Sequence, residues 1–175
     1  MAVQTIRLLG DEILRQRCAQ VKRFGGSDLK RIAADLNDTL GSFRRSKGFG
    51  RGIAAPQIGV PERVLLINID GPVVFVNPVI RRRSRLMMTL WDDCFSFPDI
   101  MVKVRRNAKV EIEYQDLAGT KHSVAVSGDR SELLQHEIDH LDGVLAIDRA
   151  IDSRHIVLRS EWEKNMEARR HGIAL

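Results

Sequence analysis

Residues Arg130–Gly143 read Arg-Ser-Glu-Leu-Leu-Gln-His-Glu-Ile-Asp-His-Leu-Asp-Gly, and the prediction of the fold starts from this stretch. Its apolar spacing predicts a helix over Arg130–Leu141, which the final glycine is placed to end. Residues four apart share one face of a helix, so His136 and His140 can converge on one metal ion. The carboxylate of Glu137 lies beside them, where it can accept a proton from water. We therefore expect a metal-binding helix at the centre of the fold; two exposed histidines on a charged helix are the alternative interpretation.

Strand-like segments precede this helix, and their pairing is predicted to be antiparallel. Arg63–Ile69 and Val73–Val76 flank an Asp-Gly step, which is a strong hairpin signal. Lys109–Tyr114 alternates apolar and polar residues as a half-buried strand does, and we expect it to pair with His122–Val126. Upstream of them, Gly48–Gly59 contains four glycines and predicts an irregular loop.

Helices are predicted on either side of the strands. Asp11 can cap a short helix that runs through Cys18, and Ser27 can cap a longer one with a single apolar stripe. A final helix, opened by Asp152, is expected to run to about Arg170. This order indicates an α+β fold with segregated antiparallel strands.

The composition is that of an ordinary globular protein and excludes a disordered or fibrous chain. The 175 residues, 43% hydrophobic and 29% charged, suffice for one domain over residues 1–175 with its own core. No apolar run exceeds four residues, so we expect neither a membrane span nor a signal peptide. Cys18 and Cys94 are too few for a disulfide framework, which favours a reducing, cytoplasmic location. The net charge of +5 favours acidic partners such as RNA through long-range attraction.

The two histidines do not complete a catalytic metal site, which usually has three protein ligands and an open position. One candidate for the third ligand is Cys94, which lies between two aspartates and a Ser-x-Pro turn, an unusual place for a cysteine that only fills the core. The other candidates are Glu161 and Glu163 on the predicted last helix, which would give a zincin-type metalloprotease. The residues alone leave both sources of the third ligand open.

Three separated blocks of the sequence resemble those of the peptide deformylase family, in the family's order. Gly50–Gln57 is similar to the first motif, Gly, apolar, Gly, apolar, Ala, Ala, any residue, Gln. Asp92–Ser96 is similar in part to the second, Glu-Gly-Cys-Leu-Ser, and Gln135–Gly143 matches the third, Gln-His-Glu-x-Asp-His-Leu-x-Gly. The resemblance implies a metal-dependent hydrolase that removes the N-formyl group from the N-terminal methionine of nascent polypeptides and releases formate.

The resemblance also implies a role for each matching residue. Three residues would bind one divalent metal ion, commonly Fe(II) in this family, with Zn, Ni or Co able to replace it: Cys94, His136 and His140. A thiolate and two imidazoles suit Fe(II) and Zn equally, so the ligands do not determine the metal. Glu137 would be the general base and then the general acid, while the side-chain amide of Gln57 and the backbone N–H of Phe95 would donate to the oxyanion.

The glycines of the first block indicate how a peptide would bind. Gly50 and Gly52 let an extended backbone approach the substrate closely, because no side chain stands between them. A peptide that hydrogen-bonds to this edge would add to the protein as a strand. We therefore expect both glycines to contact the substrate.

Charged residues replace the family's usual residues around the predicted site. Arg51 stands where the first motif is usually apolar, Asp93 replaces the glycine before the cysteine, and Glu132 lies one turn before the first histidine, where the family commonly has an apolar residue or an arginine. We expect all three at the substrate cleft, and we hypothesise that Arg51 pairs across it with Asp93 or Glu132. A more charged cleft keeps open a related N-acyl amidase with a changed substrate.

Two basic segments, Arg81–Arg85 and the predicted last helix, could meet ribosomal RNA through its phosphates, although a solvated surface is the commoner explanation. No nucleic-acid recognition motif accompanies them. We therefore expect weak ribosome contact through the C-terminal helix and no sequence-specific nucleic-acid binding. A catalytically inactive protein docked on the ribosome would not need the complete metal and acid–base set.

Overall fold

The computed structural model describes residues 2–170, so that Met1 and residues 171–175 lie outside the described part. The helices are α1 (Ser27–Lys47), α2 (Asp129–Leu141) and α3 (Arg159–Arg170). The strands are β1 (Gly52–Ala54), β2 (Val64–Asn68), β3 (Pro72–Arg83), β4 (Met87–Asp93), β5 (Ile100–Asn107), β6 (Lys109–Gln115), β7 (Lys121–Ser127) and β8 (Ile156–Leu158). The fold is α+β, as expected.

The strands form two antiparallel sheets that share helix α2. The larger sheet has the strand order β1-β2-β3-β6-β7, and the smaller one has the order β4-β5-β8. Helix α2 contacts β1, β2 and β7 of the larger sheet and β5 of the smaller one. Residues 131–138, His140 and Leu141 are all buried, so this helix has almost no exposed face. A helix buried on all sides lies in the core, which confirms the expectation of strands around a central helix.

Two strand pairs follow the predicted pairing. β2 and β3 form the hairpin, and Gly71 in its turn has φ +129°, a conformation that favours glycine. β6 pairs with β7, and Tyr114 lies opposite His122. β3 continues well beyond its predicted end at Val76 because its second half pairs with β6.

Helix α1 buries its apolar stripe, as its periodicity predicts, through Leu29, Ile32, Leu36 and Leu40. This stripe contacts β1 and β2 and belongs to the core that also contains Phe95. Ser27 is not the residue that caps the helix; it is the first helical residue, and the cap position before it is a glycine. Among the helices within residues 2–170, none is long and apolar enough to cross a membrane.

The prediction for the N-terminal helix is wrong in extent. The segment from Asp11 to Cys18 contains one 3₁₀ turn, Glu12–Arg15, which Asp11 caps by accepting a hydrogen bond from Ile13 N–H at 3.1 Å. The residues after this turn do not continue as a helix, and Cys18 N–H donates instead to the distant carbonyl of Leu141 at 2.9 Å. Upstream of Asp11, the N-terminal residues are also held by distant carbonyls: Arg7 N–H donates to Gln57 O (2.8 Å) and Leu9 N–H donates to Ser96 O (2.8 Å).

The predicted start of the last helix is also wrong. Asp152 caps a 3₁₀ turn, strand β8 follows it, and α3 begins only at Arg159. β8 pairs with β5, with Ile100 opposite Leu158. Local periodicity does not reveal pairing with a strand more than fifty residues away, which is why the sequence predicted a continuous helix here.

Three further strands were not predicted. β1 lies inside the segment Gly48–Gly59, which was expected to be an irregular loop, and it pairs with β2. β4 and β5 form a hairpin in which Leu90 lies opposite Val104. Buried Asp92 and Arg106 occupy inward positions of these two strands, so the alternation of apolar and polar residues is broken where it would identify them.

Candidate metal centre

Three side chains from two elements converge at the centre of the molecule. Cys94 directly follows β4, and His136 and His140 lie one turn apart on α2. The Nε2 atom of His140 lies 3.3 Å from the Sγ atom of Cys94 and 3.2 Å from the Nε2 atom of His136. Tetrahedral metal bonds of about 2.0–2.3 Å place neighbouring ligand atoms roughly 3.3–3.6 Å apart. The buried donor set therefore fits one divalent ion in both spacing and chemistry.

The downstream carboxylates lie elsewhere. Glu161 and Glu163 are exposed on α3, and Glu161 accepts a hydrogen bond from Lys164 at 2.7 Å. Among residues 2–170, the side chain that completes a possible metal-binding group with the two histidines is Cys94, whose Sγ atom lies 3.3 Å from Nε2 of His140. The geometry thus does not bring together the ligands that a zincin-type protease would need.

A buried carboxylate lies behind the first histidine. Asp92 Oδ1 is 2.9 Å from Nδ1 of His136, although the ring N–H bond is not aligned with that oxygen. Burial alone would raise the pKa of Asp92, but His136 and the guanidinium of Arg106 outweigh it and lower that pKa to about 2. Burial likewise opposes protonation of His136, yet the Asp92 charge prevails and raises the pKa of this imidazole. Asp92 is therefore ionised, and its contact with Nδ1 leaves Nε2 of His136 facing the other two candidate ligand atoms.

Arg106 extends this contact to the far side of the helix. Its Nη2 donates to Asp92 Oδ2 at 3.0 Å and its Nη1 donates to Asp139. Asp139 is one residue before the second histidine, and it also accepts from Arg149 at 2.8 Å. Sequence reasoning missed Arg106 because nothing local distinguishes it from the exposed arginines around it. Its inward position on β5 would have been a signal only if that strand had been recognised.

Glu137 lies next to the candidate ligands and is buried, with 3% of its surface exposed. Within the described residues its Oε2 atom has no hydrogen-bond partner, and burial raises the pKa of this carboxyl to about 7. A Cβ atom on Gly52 would lie 2.7 Å from Glu137 Oε1, closer than any ordinary contact. Gly52 therefore makes the space in which this carboxylate lies, a role that the sequence did not predict for it.

Gln57 is fixed at both ends of its amide. Its Oε1 accepts a hydrogen bond from Ala54 N–H at 2.9 Å, so its Nε2 is the end that faces the ligands. That Nε2 lies 3.5 Å from Cys94 Sγ and 3.4 Å from Ser96 Oγ. A buried amide donor is thus held beside the cysteine, with an orientation that the bond to β1 determines.

A cavity of about 510 Å³ opens onto this centre. The five residues expected at the substrate cleft all line it: Gly50, Arg51, Gly52, Asp93 and Glu132. Cys94, His136 and Glu137 line its inner end. The cavity therefore joins the candidate ligands and the candidate base to the charged residues in one continuous space.

The hypothesis of a charged pair across the cavity is confirmed for one of its two partners. Arg51 Nη2 donates to Glu132 Oε2 at 2.7 Å. Glu132 is thus the partner of the two that were named, and Asp93 accepts instead from Arg159 at 2.8 Å. Arg159 begins α3 and also donates to Pro98 O at 2.7 Å, so it holds the helix against the turn that follows β4.

Aromatic side chains and an arginine shape the outer wall. Phe95 stacks on Phe43 with ring centroids 3.9 Å apart, and a Cβ atom on Gly50 would lie 2.4 Å from the Phe95 ring. Gly50 has φ +123°, so both its backbone and its surroundings require glycine. Arg44 donates to the carbonyls of Gly50 (2.9 Å) and Asn68 (2.6 Å) and so anchors the glycine segment to α1. Sequence reasoning missed Arg44 because it lies in an ordinary basic helix end.

The comparisons with known proteins agree with this geometry. A family model described as polypeptide deformylase matches residues 3–155. A peptide deformylase of Thermotoga neapolitana is 34% identical over 155 residues, which cover 88% of this chain and 91% of that protein. One from Brucella suis is 38% identical over 170 residues, 94% of each chain. The crystal structure of peptide deformylase from Thermotoga maritima has a TM-score of 0.81 at 32% identity, over 87% of this chain and 100% of that one.

Replacing any one of the three candidate ligands by alanine is expected to lower the affinity for Co(II) or Zn by at least about a hundredfold, more than the loss of an outer contact costs. Equilibrium dialysis measures this affinity, and the Co(II) form of the protein should lose its thiolate charge-transfer absorption in Cys94→Ala. His122→Ala is the matched control, because His122 is exposed and contacts Asp116 at 2.9 Å. Unchanged affinity in Cys94→Ala, or a comparable loss in Glu161→Gln, would contradict this assignment.

Proposed function

The chain belongs to the polypeptide deformylase family, and we propose that Cys94, His136 and His140 bind the metal ion with which this family removes the N-formyl group from nascent peptides. The chain is accordingly a hydrolase, and the family match does not favour the N-acyl amidase or the zincin-type protease as alternatives. The observation that carries the assignment of ligands is the 3.2 Å and 3.3 Å spacing of three buried donor atoms.

Fe(II) is the proposed ion, with Zn, Ni or Co able to take its place. One thiolate and two imidazoles form a borderline-soft donor set that suits all of these metals. When bound, such an ion polarises the substrate carbonyl and makes water a better nucleophile at neutral pH. The burial of Cys94, 2% exposed, supports a thiolate that is shielded from oxidants in bulk solvent.

Glu137 is the proposed general base and general acid. As water adds to the formyl carbon, Glu137 accepts one proton from it; as the carbon–nitrogen bond breaks, Glu137 returns that proton to the departing amine. Formate and a free N-terminus are the products. The position of Glu137 supports both transfers, since its carboxylate lines the inner end of the cavity and keeps an unpartnered oxygen among the described residues.

Two donors are proposed to stabilise the negative charge that develops on the formyl oxygen. The first is Nε2 of Gln57, and its support is the bond from Ala54 that leaves this end of the amide facing Cys94. The second is the backbone N–H of Phe95, the residue after the cysteine. Donors fixed before the reaction starts pay no reorganisation cost as the charge develops.

The proposed substrate is an N-formylated nascent peptide that binds in an extended conformation along β1. β1 is at the edge of the larger sheet, so its outer side can receive one more strand. The cytoplasm is the proposed location, because nascent chains are formed there. One domain over residues 1–175 remains the proposed organisation, and the contact of α2 with both sheets supports it.

Weak ribosome contact through the C-terminal helix is proposed as a further partner interaction. Its support is the exposed basic side chain of Lys164 on α3, to which Arg154, in the turn before β8, adds a second exposed positive charge. Arg159 does not contribute, since it is occupied by Asp93 and Pro98. The side chains of Arg169 and Arg170 lie outside the described part.

For ribosome binding, the double variant Arg154→Ala, Lys164→Ala should bind more weakly, with a salt dependence reduced by about two phosphate contacts. Co-sedimentation at several salt concentrations measures this. Lys30→Ala with Arg31→Ala removes the same charge from exposed side chains of α1, outside both basic segments, and it serves as the control. Equal binding of wild type and both double variants would sink the proposal.

Glu137→Gln is expected to lower the rate of formate release from a formyl-Met peptide by about 10²–10⁴-fold, because the amide can neither accept nor return the proton. The protein is loaded anaerobically with Fe(II), and metal content is measured in parallel. A variant that keeps its metal and loses activity supports the role of Glu137. A variant as active as wild type would exclude Glu137 as the base.

Gly52→Ala should lower kcat by about a hundredfold, because a small displacement of a catalytic group is costly. The added Cβ atom would lie 2.7 Å from Glu137 Oε1, so the carboxylate would have to move away from it. Metal affinity should remain that of wild type. Gly41→Ala is the matched control: its Cβ would meet only Arg45 Nη1 at an ordinary 3.5 Å, so activity should be kept. Full activity in Gly52→Ala would show that Glu137 is not confined by this contact.

A further inference from the structure

Glu132 is a buried carboxylate in the wall of the cavity. It lies one helical turn before His136, its side chain is 6% exposed, and one of its oxygens is within 4.8 Å of a ring nitrogen of that histidine. From the facing wall, Arg51 donates one hydrogen bond to Oε2 at 2.7 Å. A carboxylate can accept about four hydrogen bonds, so Glu132 keeps acceptor capacity for a group inside the cavity.

The two side chains of this pair differ in their exposure to solvent, and this difference affects which substrate side chain can fill the cavity. The Arg51 side chain is 44% exposed, whereas that of Glu132 is almost wholly withdrawn from bulk solvent. An apolar substrate side chain would remove the remaining water from the carboxylate and supply no hydrogen bond in return, which is costly for a charged group. A side chain with an N–H donor would replace that water instead.

The first side chain of the substrate must enter this same space. Under the proposed function, the formyl carbon reacts between the candidate ligands and Glu137. The Cα atom of the first residue is two bonds from that carbon, about 2.5 Å, so its side chain starts beside the inner end of the cavity. Glu132, one turn before His136, and its partner Arg51 belong to the charged wall of this cavity.

Resting on the proposed function, we propose that Arg51 and Glu132 form a subsite for the first side chain that shifts selectivity toward side chains ending in a hydrogen-bond donor, while formyl-Met peptides remain substrates of the same site. The amide of glutamine and the ammonium of lysine have this chemistry; the thioether of methionine does not. A site that hydrogen-bonds a donor discriminates against an analogue of similar shape that lacks it, because its polar groups are then left unpaired.

The test compares formyl-Gln-Ala-Ser with formyl-Met-Ala-Ser, since glutamine and methionine have similar length. The ratio of kcat/KM for these two peptides is measured for wild type and for the double variant Arg51→Leu, Glu132→Leu, which removes both charges. The Gln/Met ratio should fall about tenfold or more in the double variant. Calorimetric Kd values of the deformylated peptides Gln-Ala-Ser and Met-Ala-Ser should change in the same direction.

Two further variants keep the test decisive. Arg81→Leu with Glu113→Leu removes another pair with a 2.7 Å contact, away from the cavity, and should leave the ratio unchanged. Arg51→Leu alone leaves the Glu132 charge without its partner, so formyl-Lys-Ala-Ser should gain at least about tenfold relative to formyl-Gln-Ala-Ser. This variant changes only a half-exposed side chain, and it serves if the double variant does not fold.

The outcomes separate the two proposals. Formate release with the same Gln/Met ratio in wild type and double variant, and no lysine gain in Arg51→Leu, would overturn the subsite. Absence of formate from every peptide with metal-loaded wild type would overturn the proposed function instead. In that case the Kd comparison still decides whether Arg51 and Glu132 select the first side chain.

Discussion

The arrangement of the centre depends on one buried electrostatic chain, Asp92–Arg106–Asp139. It joins β4, β5 and α2, three elements that no short stretch of sequence connects. Arg106 is 4% exposed, and its charge is tolerated in the core only because two carboxylates form ion pairs with it. Removal of one partner would leave an uncompensated charge, so the strand that directly precedes Cys94 and the helix that carries both histidines are held in one relative position.

The sequence predicts the parts of the molecule whose information is local. The periodicity of α1 and α2, the Asp-Gly turn and the alternation in β6 each identify an element, and two histidines four apart on a helix predict a metal-binding face. β4, β5 and β8 escape prediction because their stability comes from pairing and from Asp92 and Arg106 at inward positions. The residues alone left Cys94 as one of two sources for the proposed third ligand, and only the family resemblance selected it. The role of Gly52 required knowledge of what lies opposite it.

The cavity combines rigid and adjustable walls. Its inner end is made of groups that have little freedom, such as Gln57, bonded at both ends of its amide, and Gly52, which the Glu137 carboxylate overlies. Its outer wall contains Arg51, a long and half-exposed side chain whose one contact crosses the opening. A fixed reacting end and a variable entrance are what allow members of one enzyme family to keep the same chemistry while their substrates differ.

The long-range contacts of the N-terminal segment affect when the protein can fold during its own synthesis. Residues 7, 9 and 18 leave the ribosome first, yet their backbone partners include Ser96 and Leu141. Cys94 likewise cannot contact His140 until a further 46 residues have been synthesised. Closure of such long loops is slow and must await synthesis of the second partner. An enzyme whose substrates are chains still being made is thus itself assembled late, when more than four-fifths of its own chain has been synthesised.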